Sequence, residues 1–248
     1  MTMEPIYTQR FALNDSHVDC FGRLKPSALL QCIQEVASVH GSAMGADYET
    51  LTKKNLFWAI LRTRVQISRL PHSGETITLE TWPMPTTRVA YPRSVVAYDE
   101  SGAEVFRAIT LWVMMDRTTR AMVIPGKSGF LFEGRLEGTE LAVPGSLAPR
   151  PMEQRECRRV SFTDLDINGH MNNTRYFDWI YDLLSADFHR ENPLRDLVIC
   201  YLFEAREGQV LTMQYDAQDG MVQVEGTRAE GEDGEKQSRV FAAKLLFG

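Results

Sequence analysis

The chain has 248 residues, 44% of them hydrophobic and 24% charged, with a formal net charge of -6 at pH 7. A chain of this length buries a core without disulfide or metal staples, as one large domain or as two of roughly 120 residues, and the acidic balance excludes a general polyanion binder, so no nucleic-acid partner is expected. Cys20, Cys32, Cys157 and Cys200 are scattered, with no CxxC pair and no histidine at metal-finger spacing, which reads as reduced thiols and not as a disulfide or zinc framework.

Residues 1–10 hold Glu4 and Arg10 but no apolar stretch of signal-peptide length, and the longest near-apolar run, 108–115, is far short of the ~20 residues a bilayer span needs. A soluble, unexported, cytoplasmic protein with no membrane span is expected. The Asn-x-Ser/Thr matches at Asn14 and Asn172 then carry no meaning as glycan sites.

In chain order, the first notable segment is Asp19-Cys20-Phe21-Gly22-Arg23-Leu24. After it, Leu29, Leu30, Ile33, Val36, Ala37 and His40 recur at three and four spacing, with Pro26 suited to a first helical turn; this predicts a helix of about five turns ending near Gly45. Period-two segments follow at 59–68, 76–82, 94–98 and 105–115, separated by turn residues, and read as strands. Residues 125–151 contain nine Gly or Pro and suit a crossing linker better than a core element.

The second half repeats the order. Asp164-Leu165-Asp166-Ile167-Asn168-Gly169-His170-Met171-Asn172-Asn173 lies 147 positions beyond the first motif. Asp, Gly and an apolar residue match, but Asn168 replaces Phe21 and His170 replaces Arg23, so the first copy keeps the bend and lacks the chemistry. Tyr176, Phe177, Ile180, Tyr181, Leu183, Leu184 and Phe188 predict a second amphipathic helix, with Asn172 or Asn173 as its N-cap. Strands are expected at 197–203, 210–215, 221–227 and 239–247, and Gly74-Glu75-Thr76-Ile77-Thr78 has a counterpart in Gly208-Gln209-Val210-Leu211-Thr212. These matches predict an α+β fold of two duplicated units, each a long helix wrapped by a curved antiparallel sheet, paired edge to edge as a pseudo-dimer. The expected boundaries are 1–125, a linker at 126–152, and 153–248. A single α+β domain with a coincidental repeat is the competing reading.

Polar and apolar residues alternate from Asp164 to Asn172, so an extended backbone puts Asp164, Asp166, Asn168, His170 and Asn172 on one face, close to the free N–H groups of a helix start that can hold an oxyanion. The plainer reading is a solvent-facing strand or turn. A calcium loop begins the same way, but its twelfth position, which needs a bidentate acid, is Arg175. Gly126-Lys127-Ser128 resembles the end of a phosphate loop, but its leading glycine position is Ala121 and Pro125 interrupts it. No Gly-x-Ser-x-Gly elbow occurs.

From about Phe11 to the C-terminus, the chain resembles the acyl-acyl carrier protein thioesterases, a family with two tandem hot-dog domains. The resemblance rests on Leu29-Leu30 to Gln34-Glu35-Val36-Ala37 with His40, on Asn55-Leu56-Phe57-Trp58, on Leu111-Trp112-Val113-Met114-Met115-Asp116, and above all on the stretch from Asp164 to Tyr176. It implies that the catalytic Asp, Asn and His are Asp166, Asn168 and His170, and that the catalytic Glu, found after a tyrosine-led strand, is Glu204. The residue after that Glu is a cysteine in plant members and Ala205 here, which argues against a thiolate nucleophile there. Aligning Gly208 with Gly74 also sets Glu204 over apolar Leu70, although a strand-end Glu in solvent is the ordinary reading of such a residue.

The implied activity is release of free fatty acid from acyl-acyl carrier protein, ending chain elongation, with no cofactor or metal. In that chemistry Asp166 attacks the carbonyl or deprotonates water, Asn168 and a helix-start N–H stabilise the oxyanion, and His170 shuttles or polarises while Glu204 fixes its orientation. The first repeat would shape the acyl pocket. Competing expectations are an acyl-CoA thioesterase on the same fold, a hot-dog dehydratase or hydratase, and a non-catalytic acyl-binding protein. Homo-oligomerisation stays open, because an internal tandem already satisfies edge pairing.

Overall fold

The structure, a computed structural model, describes residues 5–138, 141–230 and 236–248. It divides into two compact units, Met1–Pro144 and Gly145–Gly248. The first contains β1 (Tyr7–Ala12), α1 (Pro26–Ala43), α2 (Tyr48–Lys53), β2 (Leu56–Ile67), β3 (Thr76–Pro83), β4 (Tyr91–Tyr98), β5 (Glu104–Asp116), β6 (Met122–Val123) and α3 (Pro125–Ser128). Its antiparallel sheet runs β1-β3-β4-β5-β2, with β6 added to β5.

The second unit contains β7 (Gln154–Arg159), α4 (Arg175–Tyr181), α5 (Ala186–Glu191), β8 (Leu194–Tyr201), β9 (Val210–Gln218), β10 (Met221–Glu230) and β11 (Lys236–Phe247). Its order, β7-β9-β10-β11-β8, is that of the first unit strand for strand. Registers agree as well: Phe11 faces Ile77 in one unit, and the equivalent Arg158 faces Leu211 in the other. Because a one-residue slip would reverse every side chain, shared register is strong support for duplication of one α+β unit.

Helix α1 follows its pattern closely. Pro26 sits in the first turn, and the helix buries Leu29, Leu30, Ile33, Val36, Ala37 and His40 against the sheet. His40 Nδ1 lies 3.1 Å from Arg93 Nη1, which also donates to Thr81 Oγ1 at 3.1 Å, tying helix to sheet through a polar contact. Burial without a facing carboxylate among the described residues brings the Arg93 guanidinium down to about 10.

Two expectations change. The long helix expected in the second unit is broken in two: α4 ends at Tyr181 and α5 restarts at Ala186. Leu183 N donates to Ile180 O and Leu184 N to Tyr181 O, tightening the chain, and Ser185 Oγ then accepts from Phe188 N at 3.2 Å as a new N-cap. His189 stacks on Tyr181, with ring centroids 4.4 Å apart, and holds α5 back against α4. The apolar spacing survives the break, which is why one helix was predicted.

The segment after Pro125 is also more than a connector. Ser128 is buried and hydrogen-bonded to the Tyr91 hydroxyl at 2.7 Å, while Phe130 and Phe132 pack against a cluster of Leu51, Leu56, Tyr91 and Met114. Its early residues therefore complete the core of the first unit.

Candidate active site

The residues from Leu165 to Met171 form a hairpin bend and not the extended run that their alternation suggested. Leu165 bridges Met171, Asp166 N donates to His170 O at 2.7 Å, and Gly169 N donates to Asp166 O at 3.0 Å. Gly169 closes the bend in the left-handed region, at φ +73°, as a three-residue hairpin loop requires. The Asp166 side chain knits the bend together: Oδ1 accepts from Asn168 N at 2.8 Å and His170 N at 3.2 Å, and Oδ2 faces Asn168 Nδ2 at 3.4 Å.

The base of the hairpin is anchored by residues on either side. Asp164, which is buried, accepts from Ser161 N at 2.9 Å and from Arg175 Nε at 3.4 Å, and its carbonyl accepts from Asn172 N. Arg175, the cation that spoils a calcium loop, also pairs with Asp178 at 2.6 Å.

Glu204 lies in the loop after β8. Its Oε2 is 3.1 Å from His170 Nε2, with the imidazole side chain 13% exposed and the carboxylate 40% exposed. Two contacts hold this loop to the hairpin and sheet. Met171 N donates to Ala205 O at 2.8 Å, and Arg228 Nη1 donates to the Glu204 carbonyl and, at 3.2 Å, to Gln209 Oε1. Neither contact was legible in the sequence, since one uses a backbone carbonyl and the other an arginine on β10 with no local signal. Beneath, buried Tyr176 packs on Phe241 at 4.9 Å; burial raises its hydroxyl pKa, Arg228 opposing and the Asp166 charge adding to the rise, so it remains a neutral phenol.

The predicted residues are thus brought together unequally. Asp166, Asn168 and His170 share one bend and Glu204 joins them through His170, with Asn168 exposed. Three of the helix-start N–H groups already have local acceptors. Thr174 N donates to Asn172 Oδ1, Arg175 N to Asn172 O and Phe177 N to Thr174 O. Thr174, and neither Asn172 nor Asn173, is the N-cap residue of α4.

Comparison with known proteins gives two successive family matches: the Acyl-ACP thioesterase N-terminal domain over residues 4–124 and the Acyl-ACP thioesterase C-terminal domain over 150–241. Among curated relatives, a chloroplastic palmitoyl-acyl carrier protein thioesterase of Gossypium hirsutum is 26% identical over 226 residues, covering 83% of this chain and 54% of the relative. A chloroplastic dodecanoyl-[acyl-carrier-protein] hydrolase of Cinnamomum camphora is 26% identical, covering 83% and 58%. The chain spans about half the length of the curated relatives it matches.

Among solved structures, an acyl-ACP thioesterase from Bacteroides thetaiotaomicron superposes with a TM-score of 0.88 at 24% identity, covering 98% of both chains. A 12:0-ACP thioesterase from Umbellularia californica does so with 0.80 at 21%, covering 99% of this chain and 98% of its own. These likenesses establish the fold, two tandem hot-dog domains.

Proposed function

Because the chain belongs to the acyl-ACP thioesterase family, we propose that it hydrolyses the thioester between a fatty acyl chain and acyl carrier protein, releasing free fatty acid and ending elongation. The observation that carries this reading is the 3.1 Å contact between His170 and Glu204, formed at the one copy of the bend that has a base to offer.

A thioester needs an attacking oxygen, a donor for its carbonyl oxygen and little help for its thiolate. In the neutral imidazole, donation of Nε2–H to Glu204 leaves the lone pair on Nδ1, where it takes a proton from water. The water oxygen bonds to the carbonyl carbon, the Asn168 amide donates to the developing oxyanion, the C–S bond breaks, and the imidazolium proton passes to the departing thiolate. Glu204 holds the ring in the required tautomer, and Asp166 completes the quartet from within the bend.

Four free cysteines are consistent with a reducing compartment, so we place the reaction in the cytoplasm. No helix among the described residues is long and apolar enough to cross a membrane. The test is a panel of acyl-carrier protein and acyl-CoA thioesters bearing the same acyl chains, with free thiol and free fatty acid quantified together. Equimolar release with a higher kcat/KM on the carrier-protein series is expected. Intact thioester after long incubation overturns the activity, and faster turnover of the CoA series overturns the carrier.

A further inference from the structure

Resting on that reading, we infer that one end of the first unit, where α2, the turn after β5 and α3 meet, is the docking surface for an acidic face of the carrier protein that brings the thioester. The chain as a whole has a net charge of -6, but residues 47–58 and 113–131 hold five cations, Lys53, Lys54, Arg117, Arg120 and Lys127, against three carboxylates. The fold draws these two segments together. Arg117 N donates to Asn55 O at 2.9 Å, Asn55 Nδ2 donates to Asp116 Oδ2 at 3.1 Å, β6 pairs with β5, and a Cβ at Gly129, just past α3, would stand 3.5 Å from Lys54 Nζ.

The three carboxylates are occupied within the unit. Asp47 accepts from Thr50 N at 2.9 Å and Thr50 Oγ1 at 2.7 Å, Glu49 pairs with Lys53 at 2.6 Å, and Asp116 accepts from Thr118 N at 2.9 Å and Thr119 N at 2.7 Å. Three of the cations lie over aromatic rings: Lys54 over Phe130 at 5.6 Å, Arg117 over Tyr48 at 5.5 Å and Arg120 over Phe57 at 4.5 Å. A ring face holds a cation in place without cancelling its charge. Among the described residues, Lys54, Arg117 and Lys127 form no ion pair.

Tyr48, Met122 and Ile124 stand exposed on the same elements. Aromatic, methionine and arginine side chains in one patch are the make-up of a protein interface, and cations fixed beside apolar surface suit a folded acidic partner better than a polyanion read by charge alone. The second unit's short helix α5 differs, since its Arg190 pairs with Asp187 and it ends at Glu191. The charge excess therefore does not come from the repeat itself.

Complementary charge acts mainly on association, so its loss should raise KM and spare kcat. Lys54→Glu combined with Lys127→Glu reverses two exposed charges outside the core. On an acyl-carrier protein thioester the double variant is expected to lose about tenfold or more in kcat/KM at low salt, a loss that shrinks in about 1 M salt as screening shortens. On the same acyl chain carried by N-acetylcysteamine, a thioester without a protein, it should match the parent within about twofold.

Equal loss on both substrates, or loss on neither, overturns the inference. Binding to phosphatidylglycerol vesicles that the double substitution abolishes, with carrier-protein kinetics unchanged, would assign the surface to a membrane and also overturn it. A parent that hydrolyses neither thioester defeats the proposed function instead, and calorimetric binding of unacylated carrier protein then decides the surface. Affinity lost in the double variant supports it; binding that is absent in the parent, or unchanged in the variant, overturns it.

Discussion

His170 Nε2 and Glu204 Oε2 meet at 3.1 Å because two loops of the second unit are stapled together by the hydrogen bond from Met171 N to Ala205 O. The first unit has the same staple, Leu24 N to Pro71 O at 2.7 Å, between the bend and the loop that follows β2. The scaffold that brings an imidazole to a carboxylate is therefore common to both repeats, and the difference lies in the side chains mounted on it.

Removing the carboxylate charge while keeping the side-chain shape should expose its role. Glu204→Gln is expected to lower kcat by about 10²–10⁴-fold with little change in melting temperature, since the carboxylate is 40% exposed and contributes little to packing. Thiol release under saturating substrate checks the rate; a variant within a few fold of the parent would show that the imidazole needs no such partner.

The two bend glycines should separate strain from function. An L side chain at φ +73° or +74° costs about 1–2 kcal/mol, and a Cβ at Gly169 meets nothing within 4 Å while one at Gly22 meets only His72 Nδ1 at 3.6 Å. Gly169→Ala and Gly22→Ala should therefore lose similar stability by denaturant unfolding, but only Gly169→Ala should lower kcat, because its bend carries Asn168 and His170. Equal effects on kcat would contradict that division.

Gly226 on β10 lies opposite Phe241, and a Cβ there would stand 2.1 Å from the Phe241 ring. That ring is fully buried and packed on Tyr176, so it has no room to withdraw. Gly226→Ala is expected to destabilise the fold by about 1–3 kcal/mol. A melting temperature at or above that of the parent would mean that the second core is looser than its packing indicates.

Acid sensitivity should reside partly in the first unit. Hydrogen bonds from Ser101, then from Arg69, hold the Asp99 carboxyl well below the usual range, and Glu75 is lowered chiefly by Arg69. A carboxyl with a depressed folded pKa stabilises fully above its unfolded value of about 3.9 and loses that contribution as pH falls through the folded value. The gap in melting temperature between the parent and Asp99→Asn should thus be widest near neutrality and narrow below about pH 4. A gap that widens on acidification would reverse the assignment.

Much of the fold was legible because apolar spacing decided it. Helix α1 and the main strands of both sheets lie where their periods placed them. Strands β1 and β7 were not read: each pairs with one neighbour in its unit and exposes alternate residues, and Gln154–Arg159 is almost wholly polar, as suits a blunted edge. The extended reading of Asp164 to Asn172 failed for a related reason. Strict alternation matched an extended strand, whereas the Asp-x-x-Gly spacing shared by both copies already encoded a turn with glycine at positive φ. Glu204 could be singled out by setting it over Leu70, but the Ala205 carbonyl and the Arg228 guanidinium make contacts that tertiary structure alone brings within reach.

The claim that hydrolysis belongs to one of two like bends is tested most directly by His170→Ala and Arg23→Ala, substitutions at equivalent positions, assayed side by side on one acyl-carrier protein thioester. Loss of at least a hundredfold in free fatty acid release is predicted for His170→Ala, and a rate within a few fold of the parent for Arg23→Ala. Equal rates in the two variants, or the greater loss in Arg23→Ala, would contradict it.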